Sequence, residues 1–238
     1  ILASKIDDAN SIGDEPFQYY SKFKNISVAV DKKRRRGINK LIEHGVNLII
    51  LDDAFQHRKV IPTYSLLLSD YSNLYFNDYL LPRGSLRESK KGSKRADSIV
   101  ITKCPENFSQ SDKNYLIDRV KLSSNQHIFF SKIKYSKVLY SSSDKLNIMK
   151  LSNKKVNLVT GIVNSEVLLS FLKDKNITVE HFKYPDHFDY KEKDILKFKD
   201  NITITTEKDY SKLRKFNIEN LYYLPISVDI SEEKIFIE

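Results

Sequence analysis

Short apolar runs alternate with stretches of helical periodicity along the chain. Residues 46–51 (VNLIIL) are nearly all apolar, and residues 65–68 and 98–102 (SIVIT) are further runs of strand length. A short apolar run that follows a helix suits a strand buried on both faces of a parallel sheet. The stretch before the first run, residues 32–43, places Ile38, Leu41 and Ile42 on one helical face, and Gly45 suits its C-terminal cap. A second helix is predicted over 111–122. The β-branched run 26–30 predicts one more strand, and residues 1–18 read as a polar loop. Strand, helix, strand, helix points to a doubly wound α/β sheet.

The pattern changes over 127–150, where extended, aromatic-rich segments (IFFSKIKYSKVLY) predict a β connector between two modules. Alternation then resumes, with strands expected at 156–159, 177–182, 202–205 and 221–224. A helix starting near Asn164 or Ser165 carries Val167, Leu168, Phe171 and Leu172 on one side, and another is predicted over 208–216. The expected organisation is a nucleotide-type α/β domain over 1–126, a β connector over 127–150 and a smaller α/β domain over 151–238. Residues 71–94, with Pro82, Gly84 and Gly92, form a long irregular stretch of the kind found in functional or disordered loops.

Charge narrows the partners. The 238 residues carry a formal net charge of +9, which favours nucleic acid, a phosphorylated substrate or an acidic membrane face. No RNA-recognition or helix-turn-helix pattern stands out. Cys104 is the single cysteine, so no disulfide forms within the chain, which fits a reducing compartment. No apolar run approaches the ~18 residues needed to cross a bilayer.

Four segments carry candidate chemistry. Asp52 and Asp53 follow the run 46–51 and lead directly into Gln56 and His57. Ligands of open α/β sheets bind outside the carboxyl ends of strands, and an acid at that place helps hold Mg²⁺ in phosphoryl-transfer enzymes. Two adjacent carboxylates repel each other unless a cation lies nearby, which argues for a metal-and-phosphate site over a simple Asp-capped turn. Gly13-Asp14-Glu15-Pro16, by itself, reads as a solvated turn, although a general base needs such a carboxylate. Pro185-Asp186-His187-Phe188-Asp189-Tyr190 sets a histidine among acids, as a ligand, a base, the orienter of a base or a surface loop residue. Residues 81–88 (LPRGSLRE) offer arginines for phosphate and Glu88 for a Mg²⁺ shell, or form an exposed charged loop. The basic runs 32–36 and 90–95 are solvated faces or suit phosphate-bearing and membrane-surface partners. At 205–209 (TTEKD), Thr206 caps a helix whose positive end suits Glu207 and Asp209. From the residues alone, three functions stay open: phosphoryl transfer, a non-catalytic anion-binding module, and a metal-dependent hydrolase using Asp52, Asp53, His57 and His187.

Taken in chain order, GDEP (13–16), DDAFQH (52–57), LPRGSLRE (81–88), ADSIVITKCP (96–105), TGI (160–162), PDHFDY (185–190) and TTEKDYSKL (205–213) resemble the tetraacyldisaccharide 4'-kinase family over nearly the whole chain. The resemblance implies a P-loop NTPase-like parallel sheet with a second, smaller α/β domain joined by a β-ribbon. It implies transfer of the ATP γ-phosphate, with Mg²⁺, to the 4'-hydroxyl of a tetraacyldisaccharide 1-phosphate, a lipid A precursor, to give lipid IVA. It places that reaction on the cytoplasmic face of the inner membrane of a Gram-negative bacterium, with no nucleic-acid partner. Asp14 matches the family's base and His187 its partner. Asp52 and Asp53 match the metal-holding Walker B pair. Arg87 and Glu88 fall in the cofactor site, Glu88 also among the metal ligands, while Glu15, Gln56 and His57 fall to the substrate. The family's GxxxxGK[ST] loop and N-terminal membrane-associated helix precede GDEP. Neither is present here, and the chain opens on Ile1 rather than Met. The expectation is a piece lacking the first strand and P-loop, inactive alone. Ala54 stands where the family often has Gly, and Ser89 where it has Pro.

Overall fold

The computed structural model describes residues 1–198 and 201–231, apart from the side chains of residues 9 and 10. The chain divides into two compact units that interleave in sequence. One takes Ile1–Ile49 and Tyr135–Ile226, and the other takes Ile50–Lys134 and Ser227–Glu238.

The first unit opens with helices α1 (Ala9–Ile12), α2 (Asp14–Lys22) and α3 (Arg34–Glu43). The loop expected over 1–18 is therefore helical over Ala9–Ile12 and again from Asp14 onward. Asp14 and Glu15 occupy the first turn, where carboxylates oppose the positive helix end, and Pro16 needs no N–H partner there. Helix α3 matches the periodicity of 32–43. It ends at Gly45, whose φ of +75° lets the N–H groups of Gly45 and Val46 close on the carbonyls of Ile42 and Leu41.

Two expected strands do not form. Residues 26–30 make an isolated bridge between Ala29 and Leu2 rather than a strand. Residues 46–51 are irregular instead of buried, with Leu48 and Ile50 78% and 86% exposed. A strand exists only where a neighbour satisfies its N–H and C=O groups. Among the described residues no strand pairs with 46–51.

In the second unit, β1 (Leu66–Asp70), β2 (Ser98–Thr102) and β3 (His127–Tyr135) run parallel, with Leu68 beside Val100 and Val100 beside Phe129. Helix α4 (Gln110–Val120) covers one face, packing Leu116 and Val120 against Ile99, Ile101 and Phe130. It starts at a capping box in which Ser109 Oγ accepts from the Asp112 N–H and the Asp112 carboxylate accepts from the Ser109 N–H.

The first unit resumes with β4 (Val138–Tyr140), β5 (Lys145–Asn147), β6 (Lys155–Thr160), α5 (Glu166–Lys173), β7 (Thr178–Lys183), α6 (Glu192–Ile195), β8 (Thr203–Thr205), α7 (Glu207–Leu213) and β9 (Leu221–Tyr223). The sheet order is β5-β4-β9-β8-β6-β7, with β6 parallel to both of its neighbours. Strand β6 is buried on both faces. Val156 and Leu158 meet Leu168 and Leu172, while Val159 meets Tyr190, Phe198 and Leu213. The last strand, β10 (Ile226–Ile230), joins the other sheet, which reads β1-β2-β3-β10. No helix among the described residues is long and apolar enough to cross a membrane.

The units do not follow the boundaries expected at 126 and 150. Strand pairing groups β3 with β2 and the β4–β5 hairpin with β9, so 127–150 is shared between the units. Residues 1–49 fall with the six-stranded sheet, not with β1 and β2. The tail of the expected 151–238 domain, residues 232–238, lies outside the described residues.

Candidate functional site

Strands β6, β7 and β8 are parallel, so the loops that leave their carboxyl ends gather at one edge of the sheet. Asp209, in the first turn of α7, ties these loops together. Its carboxylate is 2% exposed and accepts from the Gly161 N–H (2.9 Å), the Tyr190 O–H (3.0 Å) and the Thr206 O–H (2.8 Å). Burial and the facing Asp209 carboxylate push the Tyr190 phenol far up, so Tyr190 stays a donor. Thr206 caps α7 by accepting from the Asp209 N–H at 3.1 Å. The three motifs TGI, PDHFDY and TTEKD are thereby joined through one buried acid.

That frame positions His187. Its φ of +58° lies in the left-handed region that non-glycine residues rarely use. His187 Nδ1 lies 3.0 Å from Asp14 Oδ2, at the start of α2. Lys212 Nζ donates to the same oxygen at 2.6 Å. Partial burial pushes the Asp14 carboxyl up, but the Lys212 and His187 hydrogen bonds outweigh it and hold the group below its ordinary value. Asp14 is thus ionised at neutral pH and able to take a proton. Glu15 Oε1 lies 3.8 Å from His187 Nε2. Helix α2 is tied to α7 a second time by Lys22 and Glu207, 2.8 Å apart.

The remaining sequence-predicted residues belong to the second unit. Asp52 and Asp53 are both exposed, and Asp53 takes φ +43°, a conformation that aspartate tolerates. Arg87 Nη1 lies 3.4 Å from Asp53 Oδ2 and 3.5 Å from Gln56 Oε1. The His57 N–H closes a turn on the Ala54 carbonyl at 2.8 Å. Glu88 meets Arg95 through Oε1 at 2.7 Å and Arg58 through Oε2 at 3.1 Å. The Arg95 hydrogen bond, against some desolvation and with help from Arg58, lowers the Glu88 carboxyl from its ordinary value. Arg95 itself lies over the Phe55 ring at 4.7 Å. A cleft of about 70 Å³ lined by Phe55, Gln56, Leu86, Arg87 and Glu88 is far smaller than the ~300–1,000 Å³ of small-molecule sites.

Mg²⁺ binds through one or two carboxylates, with waters and substrate phosphates completing its shell. Asp52 and Asp53 fit that donor set. Glu88, each of whose oxygens meets an arginine, keeps lone pairs through which it would join that shell by way of a water. Among the described residues no group of three or more His, Cys, Asp or Glu is placed to hold a metal. The loop that carries Arg87 and Glu88 is closely built at Gly84, where a Cβ would overlap the Tyr79 backbone and the Asp78 carboxylate. Gly84→Ala is expected to destabilise the second unit by about 1–3 kcal/mol, read as a lower urea midpoint.

Sequence reasoning did not single out Lys208, Lys212 or the hub role of Asp209. The available signal was helical spacing. Lys208 and Lys212 share one face of α7, while Asp209 and Leu213 share another and are buried.

The family model for tetraacyldisaccharide-1-P 4'-kinase matches residues 1–238. The chain is 42% identical to the tetraacyldisaccharide 4'-kinase of Flavobacterium psychrophilum, over 99% of this chain and 71% of that protein. It is 34% identical to the one from Bacteroides thetaiotaomicron, over 98% of this chain and 69% of that protein. The crystal structure of LpxK from Aquifex aeolicus in complex with ATP superposes with a TM-score of 0.75 at 25% identity, covering 99% of this chain and 71% of that one. A family match over the full length, with relatives above 30% identity, leaves one assignment: this chain belongs to the tetraacyldisaccharide-1-P 4'-kinase family.

Proposed function

We propose that this chain carries the acceptor-activating part of a kinase that moves the γ-phosphate of ATP to the 4'-hydroxyl of a tetraacyldisaccharide 1-phosphate, the lipid A precursor, giving lipid IVA. The observation that carries the reading is the ionised Asp14 carboxylate, hydrogen-bonded to His187 in a member of this kinase family. Asp14 accepts the hydroxyl proton as the acceptor oxygen bonds the γ-phosphorus, and the bridging oxygen leaves with ADP. His187 orients the carboxylate. Asp52 and Asp53 would hold Mg²⁺, which offsets the charge that grows on the phosphates. Arg87, which meets both Asp53 and Gln56, suits the nucleotide phosphates, while Gln56, His57 and Glu15 suit the substrate. Glu88 holds Arg58 and Arg95 and would reach the Mg²⁺ shell through water.

The net charge of +9 and the basic run 32–36 suit an anionic substrate at the anionic leaflet of the inner membrane, with the protein peripheral on its cytoplasmic face. The test is stoichiometry in the complete gene product. Each ADP formed should accompany one disaccharide heavier by one phosphate in mass spectra. ADP with inorganic phosphate and unchanged lipid would instead support a hydrolase.

A further inference from the structure

The face of α7 next to its buried acid carries two lysines four residues apart, both directed at the Asp14–His187 pair. Lys212 and Asp14 have side chains only 14% and 12% exposed. Lys208 is 17% exposed and contacts Asp186 Oδ1 at 2.9 Å, Glu15 Oε1 at 3.4 Å and His187 Nε2 at 3.2 Å. An exposed ion pair contributes little and costs side-chain entropy. These two ammonium groups are held among several acceptors and are mostly shielded from water, so a purely decorative surface role does not describe them.

The hydrogen-bond inventory fixes their effect. Lys212 and His187 both bond Oδ2 of Asp14, and Oδ1 takes neither bond. An ammonium has hydrogens to give and no lone pair to offer. With Lys208 donating to His187 Nε2, the ring proton would sit on Nδ1, facing Asp14. Asp14 is faced by Lys212 and His187, with Glu15 adjacent in α2 and Lys208 and Asp186 one layer out.

We infer that Lys212 and Lys208 are positioning residues of the transfer step: Lys212 pins one oxygen of Asp14 and presents the other to the acceptor hydroxyl, and Lys208 fixes the His187 tautomer that donates to Asp14. The inference rests on Asp14 being the base. Helix α7 thus has two jobs set by its period. Asp209 and Leu213 anchor it, and Lys208 and Lys212 organise the base. Partial burial pushes the Lys208 amine down, but the Asp186 and Glu15 carboxylates outweigh it and raise it, so Lys208 remains a donor across the working pH range.

The experiment uses the complete gene product. Lys212→Gln should lower kcat on the order of 10²-fold and move the acid limb of the kcat/KM profile to higher pH. The sign follows from the base being active only when ionised, since losing the nearby cation makes Asp14 easier to protonate. Lys212→Arg, which keeps the charge, should hold the acid limb near its native position. A lysine that merely braces the fold would lower the rate equally at every pH, and an unmoved acid limb in Lys212→Gln overturns the inference. An acid limb displaced in Lys212→Arg as far as in Lys212→Gln overturns it too, and Lys212→Arg alone carries this test if the glutamine variant does not fold. Independently of activity, ¹H–¹⁵N correlation spectra should show the native His187 proton on Nδ1, and a proton on Nε2 contradicts the Lys208 role. Retained turnover in Asp14→Asn would sink the base assignment itself. An inactive Asp14→Asn beside a Lys212→Gln of native rate and native acid limb would sink only the role of the lysines.

Discussion

Asp14→Asn is expected to cost 10²–10⁴-fold in kcat while ATP affinity stays within a few-fold of the native value. The amide keeps the shape of the carboxylate and can still occupy the first turn of α2. It cannot take a proton from the acceptor hydroxyl. Its oxygen can still meet Lys212 and His187, which lie 2.6 and 3.0 Å from Asp14 Oδ2, so the local geometry should survive and the loss should fall on the chemical step. Stability should respond in a matching way. A carboxyl held below its ordinary value stabilises the fold above that ordinary value, and the contribution is lost as pH falls through the lowered one. The variant should therefore melt below the native protein at neutral pH, and the gap should close in acid.

Asp209→Ala is expected to be the most destabilising single change near the site, by about 3–5 kcal/mol. Three donors lose their acceptor at once, in a place 2% exposed where water does not readily replace it. Orphaned buried donors cost about 1–3 kcal/mol each, and the Thr206 hydroxyl can turn to another partner. Against a total stability of ~5–15 kcal/mol the loss is large. Activity should fall with it, because Tyr190 anchors the loop that holds His187 in its left-handed conformation. Urea unfolding at 25 °C measures the first effect. Asp209→Asn, which keeps the shape but brings an amide N–H₂ toward the donors, should fall between native and Ala.

Much of the α/β frame was legible because its signals are local. The run SIVIT is β2 to the residue, and the helices expected over 111–122 and 208–216 begin within a residue or so of α4 and α7, where Ser109 and Thr206 supply caps. Strand pairing was less legible, because it is not a property of one segment. VNLIIL has the composition of a central strand, yet it stays irregular where no described strand lies beside it. The same limit moved the unit boundaries, since β3 pairs with β2 whatever follows it in sequence. GDEP read as a turn although Asp-Glu-Pro is a helix-start signature, because the polar stretch around it has weak periodicity.

The site divided in a similar way. Asp14 and His187 are 173 residues apart in sequence, and only the family resemblance linked them before the structure placed them 3.0 Å apart. Glu88 read as a metal ligand because a carboxylate beside Arg87 suits either a cation or a guanidinium. Arg58 and Arg95, which meet its two oxygens, lie 30 and 7 residues away in sequence. Lys208 and Lys212 were hidden by a burial inversion. Three charged residues lead α7, and helical spacing in EKDYSK pairs Lys208 with Lys212 without telling which face turns inward.

The most direct test of the account is where the new phosphate goes. The complete gene product is given ATP, Mg²⁺ and tetraacyldisaccharide 1-phosphate, and the product is read by ³¹P–¹H correlation spectroscopy. The account predicts a new phosphate signal correlated with the proton on the 4' carbon, formed by the native protein and absent with Asp14→Asn. A phosphate on any other carbon, release of inorganic phosphate alone, or equal product from Asp14→Asn would contradict it.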